Sequence, residues 1–453
     1  MSKTHINIGI SFSNTGLTHY GGLYLLQQFF QSIKLRSILT QTIRFHQLNN
    51  RYSISDSILA ILYPIILGLG RIETNILLQQ NGVFQYLASL PTYPDPTTLR
   101  RFLERFGSKG LLAFQNLHDR FRAQFLGKPD LTSSVIFDLD TKVLTVYGQQ
   151  QGARVGFNPK KRGRPSYQPL LCFEGKTGDI WEGVYLSGDI HPAPHTIKVL
   201  ERSLSKLPSG IREIRMRADS AFYDHTIAEY LQGIPAYYAI VARATKPIQQ
   251  YFGGLSYEEV SAGLWFAEFE YKPWRWNTSQ RFIVVRRLVP EKPSWQLSLF
   301  KTAGYTYQVI VTNLSLKPLN LWRFYNQRAT GELIIRELLE AYALGKIPTR
   351  DWASNQAYFH MVLLAYNLIN WFKRLCLPED WQRLNLQTIR NRLLLVPAQL
   401  LRPQGRPILS LPSSYPYSKT FIDVLKNIKK LADKKYDYMP NSSFSYKFTP
   451  DSG

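Results

Sequence analysis

Cysteine is almost missing from this sequence. Two occur in 453 residues, Cys172 and Cys376, each inside an apolar run, which excludes a disulfide framework or a cysteine-rich zinc site and points to a reducing compartment. Long hydrophobic runs are missing as well. The longest, "SILAILYPIILGLG" at 57–70, contains Pro64 and is shorter than the about 20 residues of a membrane helix, so it reads as a buried helix. The first residues, "MSKTHINIGISFSNTG", lack the basic-then-apolar order and small-residue cleavage pattern of a signal peptide, which argues against secretion. No internal repeat of fixed period is present. Acidic residues are scarce, 32 against 55 lysines and arginines, for a net charge of +23. A field of that sign favours polyanions such as nucleic acid or an anionic membrane, although charge alone carries no catalytic information.

What is present is enough for a large globular protein: 44% of residues are hydrophobic, and the chain is longer than one core usually organises, so several domains are expected. Residues 1–130 read as an all-helical domain, with spacing such as "GLYLLQQFFQSI". Within it "DPTTLRRFL" has Asp95 as a cap, Pro96 at the first helical position, and Arg100 and Arg101 suited to a phosphate backbone; an ordinary surface helix explains the same pattern. From 131 the periodicity changes to three strands, a helix, a strand, a helix and a strand, an α/β order that predicts a mixed sheet flanked by helices. This core is expected over 131–244 and 317–376. Residues 245–316, rich in tyrosine, tryptophan and valine, read as a β-rich insertion, and 377–453 as a basic C-terminal region with a loose tail.

The acids in "VIFDLDTKVL" need explaining, because a strand running into a core would avoid them. Side chains alternate along a strand, so Asp138 and Asp140 share one face and Phe137 and Leu139 the other. "RMRADSAFYDH" repeats the arrangement with Asp219 at a strand end. Two such acids on neighbouring strands can converge, and carboxylate oxygens are the donors magnesium and manganese prefer. A third, Glu332, lies in "FYNQRATGELIIRE"; Tyr325, Arg328, Glu332 and Leu339 occur at steps of 3, 4 and 7, which predicts one helical face with a phosphate-gripping arginine beside a metal-binding glutamate.

With these pieces in place, the chain resembles a bacterial insertion-sequence transposase of the DDE class, with an RNase H-like core and a Tyr-Arg-Glu-Lys signature. The resemblance rests on "FDLDTKVLTVYG", "GRPSYQPLLCFEG", "RADSAFYD", "VTNL", "YNQRATGELIIREL" and "NQAYFHMVLLAYNLINWFKR", in family order over roughly 300 residues. It implies an α/β, RNase H-like fold and a catalytic triad of Asp140, Asp219 and Glu332 holding two Mg2+ or Mn2+ ions. Tyr325 and Arg328 match the signature; Asp138 is a candidate ligand in place of Asp140 or beside it or, in preference, an acceptor orienting its neighbours, with Asp140 preferred as the first ligand. It also implies double-stranded DNA partners, the element ends and a target, a homodimer pairing two ends, and a cytoplasmic, nucleoid-associated location. Two positions depart from the pattern. Leu339 stands where lysine is expected, with Arg336 one turn beyond Glu332 as a substitute charge, and Lys142 replaces the hydroxyl usually found two residues after the first aspartate. They leave open a non-catalytic DNA-binding descendant, and an RNase H-like nuclease without strand transfer is the other alternative.

Three smaller features remain. "PKKRGRPSY" offers Arg162 and Arg164 as a short basic segment for a narrow minor groove, with a charged loop as the alternative. In "HPAPH", two prolines between His191 and His195 predict a loop rather than a metal-binding helix. Trp265, Trp274 and Trp276 read as core or sheet surface in preference to a platform for an unpaired base.

Overall fold

The computed structural model of the chain describes residues 10–12, 14–45, 51–126, 133–207, 211–288, 300–302 and 304–433. At its centre is β1 (Ser134–Thr141), flanked by β2 (Leu170–Glu174) and then β3 (Ile180–Val184) on one side, and by β4 (Glu213–Ala218) and β5 (Ala236–Val241) on the other. β1 is antiparallel to β2 and parallel to β4, and β4 is parallel to β5. This is the mixed α/β sheet that the strand and helix order predicts.

Alternation along β1 divides its side chains between two cores. Val135, Phe137 and Leu139 join Cys172 of β2, Met216 of β4 and Tyr238 of β5 under the helices Ala193–Leu204 and His225–Gln232. The opposite face of β2 sends Leu171 and Phe173 into a much larger core. That core is organised by the helix Trp352–Cys376, capped by Asp351, which accepts from Ser354 N at 2.7 Å. Buried along nearly all its length, it packs against the helices Ile54–Leu67, Gly107–Leu126 and Ser418–Asp433. The Phe29 and Phe372 rings, 5.3 Å apart, tie the Leu23–Ser32 helix into the same core.

The tyrosine- and valine-rich segment extends the central sheet. β9 (Tyr305–Thr312) lies antiparallel beside β5, with Val311 opposite Ile240, and β8 (Gln280–Leu288), β7 (Leu264–Tyr271) and β6 (Glu258–Ser261) lie beyond it in turn. Phe300–Thr302 also pairs with β9, giving ten strands in all. The helix Pro318–Asn326 covers the junction, placing Leu321, Phe324 and Tyr325 on Ala239, Ile283, Val285 and Ile310.

Most of the apolar 57–70 stretch lies in the buried Ile54–Leu67 helix, with Gly68 as its C-terminal cap, and among the described residues no single helix is long and apolar enough to cross a membrane. One local expectation changes. "HPAPH" is a loop only in part: Pro192 is the cap of the Ala193–Leu204 helix and Pro194 sits in its first turn, where backbone N–H groups have no intrahelical partner to lose, so His195 is helical. The basic segment "KNIKKLAD" is helical. It ends the amphipathic Ser418–Asp433 helix, held by Phe421, Val424, Ile428 and Leu431, while the expected loose tail, at 434–453, lies outside the described residues.

Candidate active site

Register brings the first two acids together. Leu139 of β1 pairs with Ala218 of the parallel strand β4, so the next residue of each, Asp140 and Asp219, sits at the C-terminal end of neighbouring strands. In α/β sheets this is the edge at which polar sites form, because side chains there leave the sheet without a covering strand. Asp219 is held by its own turn: it caps Ser220–Phe222 and accepts from Ala221 N at 2.9 Å. Asp140 accepts from Thr141 N at 2.8 Å.

Glu332 arrives from above the sheet. The signature segment spans two successive helices rather than one. Pro318–Asn326 ends just after Tyr325, and Ala329–Glu340 starts just after Arg328, with the turn between them in near-helical geometry. That turn swings the Arg328 guanidinium between all three carboxylates: Nη2 stands 2.9 Å from Asp140 Oδ2 and 3.6 Å from Asp219 Oδ2, and Nη1 stands 2.9 Å from Glu332 Oε1. The side chain of Arg328 is 6% exposed and that of Asp140 12%, whereas Asp219 and Glu332, at 39% and 60%, face the open side.

The electrostatics result from that placement. Burial pushes the Asp140 carboxyl up to about 7; Arg328 opposes the rise, and Asp219 and Glu332 add to it. For Arg328, burial works against the charge, but Asp140, Tyr325, Asp219 and Glu332 more than offset it, so the guanidinium stays protonated. Burial likewise raises the Tyr325 hydroxyl to about 12, keeping it neutral beside the acids. Among the described residues no three Asp, Glu, His or Cys side chains stand in a metal-holding group; the guanidinium bridges these three instead. Their chemistry nevertheless suits a hard divalent cation, since the donors are carboxylate oxygens whose combined charge exceeds that of the one arginine among them.

Residues 2–433 match the family described as "Transposase DDE domain group 1". The chain belongs to this family. DDE transposases are polynucleotidyl transferases with endonuclease activity, and as a class depend on divalent metal. A piggyBac transposase, solved by cryo-EM as a synaptic complex with hairpin DNA, is similar over 93% of this chain and 86% of its own, with a TM-score of 0.47 and 13% sequence identity. A comparison of the sequence with curated proteins found no match.

The other residues singled out in this DDE transposase lie at varied distances from the acid cluster. Asp138 turns both oxygens to Arg217, at 2.6 and 2.7 Å. Arg336 is exposed on the helix that carries Glu332, and Leu339 is partly buried against the large core. Lys142 lies just past β1, its backbone N donating to Pro169 O. Arg162 and Arg164 are exposed beside the strand Pro165–Tyr167, with Arg164 over the Tyr147 ring. Arg100 and Arg101 belong to the capped helix Pro96–Leu103; Arg100 is paired with Glu73, and Arg101 is exposed. Trp276 is buried in the core beneath β8 and Trp265 packs edge-on to Tyr305, whereas Trp274 is 78% exposed with Arg275 over its ring. Arg217 is the residue that sequence reasoning passed over. The signal was available: it lies two positions before Asp219, on the same strand face.

Proposed function

We propose that this DDE transposase binds the terminal inverted repeats of a mobile element, cleaves the DNA there, and joins the freed 3′ ends to target DNA. The observation that carries the reading is the meeting of Asp140, Asp219 and Glu332, from two strand ends and a distant helix, around one buried arginine. Held by these three carboxylates, a pair of magnesium or manganese ions would supply activation of water or a 3′-hydroxyl and neutralisation of charge on the scissile phosphate. Asp140 fixes the floor of the site. Asp219 and Glu332 present their exposed oxygens to the DNA side. Arg328, already charged and set among the acids, supplies a planar donor fork for a phosphate. The engagement of both Asp138 oxygens with Arg217 supports an orienting role for Asp138 in preference to ligand duty.

The net charge of +23 supports a polyanionic partner, with Arg162, Arg164 and Arg101 as exposed contacts and Arg336 extending the positive face beside Glu332. Arg100 would reach DNA only by leaving Glu73. Pairing of two ends calls for a homodimer. The deciding experiment is Asp219→Asn: metal-dependent nicking of a plasmid carrying the element ends should vanish while gel-shift binding of the same ends persists. Undiminished nicking would remove the assignment. Cleavage of scrambled ends at the same rate would favour a nuclease without strand transfer.

A further inference from the structure

Beneath the acid cluster lies a second charged group that the proposed chemistry does not use. Arg217 is 0% exposed and Asp138 2% exposed. They are direct partners in the parallel β1–β4 register, so both project from the same face of the sheet. Arg217 Nε and Nη2 donate to the two oxygens of Asp138, at 2.6 and 2.7 Å, the bidentate geometry that fixes a guanidinium in plane and angle. The remaining nitrogen, Nη1, reaches a third element: it donates to Phe324 O at 2.9 Å and to Gln327 Oε1 at 3.2 Å. The Phe324 ring lies against the same guanidinium, 5.0 Å from its centre.

Each of these partners is a near neighbour, along the chain, of one of the three acids. Asp138 precedes Asp140 by two residues on β1. Arg217 precedes Asp219 by two on β4. Gln327 is next to Arg328, and Glu332 is one turn further on. A single side chain therefore joins the three backbone segments that deliver the three acids, immediately below the place where they meet. Sheet hydrogen bonds already align β1 with β4, but the Phe324–Gln327 turn belongs to a helix that could slide over the sheet; its link to Arg217 opposes that slide. The surroundings are shaped around the arginine: a Cβ on Gly175 would stand 2.6 Å from Arg217 Nη2 and 3.0 Å from the Ile136 side chain, so only glycine leaves the guanidinium its place.

We propose that Arg217, locked on Asp138, is a positioning residue that sets the spacing of Asp140, Asp219 and Glu332 by clamping the Phe324–Gln327 turn to the ends of β1 and β4. The proposal rests on the reading of those acids as a divalent-cation site and adds the part that determines their geometry. The clamp touches neither DNA nor cation, so its removal should be read in the affinity of the site for a cation rather than in DNA binding.

The test uses the full-length protein and Mn2+ as the probe, monitored by electron paramagnetic resonance, with nicking of an end-bearing plasmid in parallel. The double variant Arg217→Gln/Asp138→Asn removes both charges together and leaves neither buried alone. It should weaken Mn2+ binding and slow nicking by about 10- to 100-fold, the range typical of groups that orient ligands, with end binding within threefold of the parent. Arg217→Lys in the otherwise native chain keeps the charge but not the fork, and should recover only part of the loss. A folded double variant with Mn2+ affinity and nicking within threefold of the parent overturns the clamp. Should the double variant fail to fold, Gly175→Ala, which keeps both charges and displaces the guanidinium, decides instead: weaker Mn2+ binding upholds the clamp, and unchanged binding in the folded protein overturns it. If Asp219→Asn binds Mn2+ as tightly as the parent, the cation-site reading is what fails, and the clamp's role falls with it.

Discussion

An exposed arginine in a short basic turn can do more for DNA binding than a paired one on a better-formed helix. Arg162 and Arg164 flank Gly163, whose φ of +74° makes the tight turn that holds both side chains outward, and no ion pair joins either to an acid among the described residues. Arg100, by contrast, is neutralised by Glu73. If the turn contacts two phosphates, replacing both arginines with glutamine should flatten the plot of log binding constant against log salt by about 2, near 0.9 per contact. The check is a titration of end binding from low to physiological salt, and an unchanged slope removes the turn from the interface. At this scale the sequence was informative wherever local chemistry sufficed. Strand alternation puts Asp138 and Asp140 on one face and a turn comes directly after Asp219, so the acids stand out. Arg217 did not, because an arginine within a strand reads as surface charge until its partner on the neighbouring strand is known, and the pairing of β1 with β4 spans about 80 residues of chain. The division of labour between Asp138 and Asp140 was hidden for the same reason.

Two margins of the central sheet are closed by asparagine side chains. β3 is an edge of the central sheet, and an edge leaves backbone donors and acceptors without strand partners. Asn367, in the middle of the Trp352–Cys376 helix and itself fully buried, fills one such position: Oδ1 accepts from Ile180 N at 2.9 Å and Nδ2 donates to Ile180 O at 2.8 Å. Asn313 performs the same service where β9 ends, accepting from Tyr238 N at 2.8 Å and donating to Ala236 O at 2.9 Å. Asn367→Leu would leave both groups of Ile180 buried and unpaired. At about 1–3 kcal/mol for each orphaned group, the expected loss is on the order of 2–6 kcal/mol, well above that of an exposed polar change. Urea denaturation of Asn367→Leu beside Gln250→Leu, an exposed control on the helix Lys246–Phe252, should show the difference; equal midpoints would mean that the edge finds other partners. Element type and order were legible from periodicity, since period 2 and period 3.6 are local properties. The continuation of the sheet through β9 to β6 was not, because a run of strands gives the same alternation in a separate sheet as in an extended one. The "HPAPH" reading failed on position, as the prolines that forbid a helix interior are favoured in its first turn.

At the scale of the whole molecule, the largest core joins the N-terminal helices, the Trp352–Cys376 helix and the C-terminal helix, and two buried histidines sit in this seam. His118, on the Gly107–Leu126 helix, and His360, on Trp352–Cys376, lie with ring centres 6.3 Å apart, and His118 Nε2 is 3.4 Å from His360 O. Burial drives His118 down to about 4, with Arg122 and Lys206 adding to the fall and Asp119 opposing it. Burial likewise takes His360 to about 3, helped by His118 and Arg202 and opposed by Glu182. Both rings are therefore neutral in the folded protein, and an unfolded chain near pH 5 binds protons that the folded one refuses. The stabilising contribution is complete above about 6.5, the ordinary histidine value, and is withdrawn as pH falls toward 4 and then 3; at about 1.4 kcal/mol per unit of displacement, His118 alone accounts for roughly 3 kcal/mol. Asp140 pulls the other way, because a carboxyl raised to about 7 takes up its proton in the folded state first and adds stability as pH drops from 7 toward 4. A comparison of variants separates the two. His118→Gln/His360→Gln should lower the urea midpoint at pH 7.5 only modestly and lose much less than the parent between pH 7 and 5, whereas Asp140→Asn should steepen the loss over the same interval. Parallel pH profiles for the histidine variant and the parent would show that the seam is not where acid enters the fold.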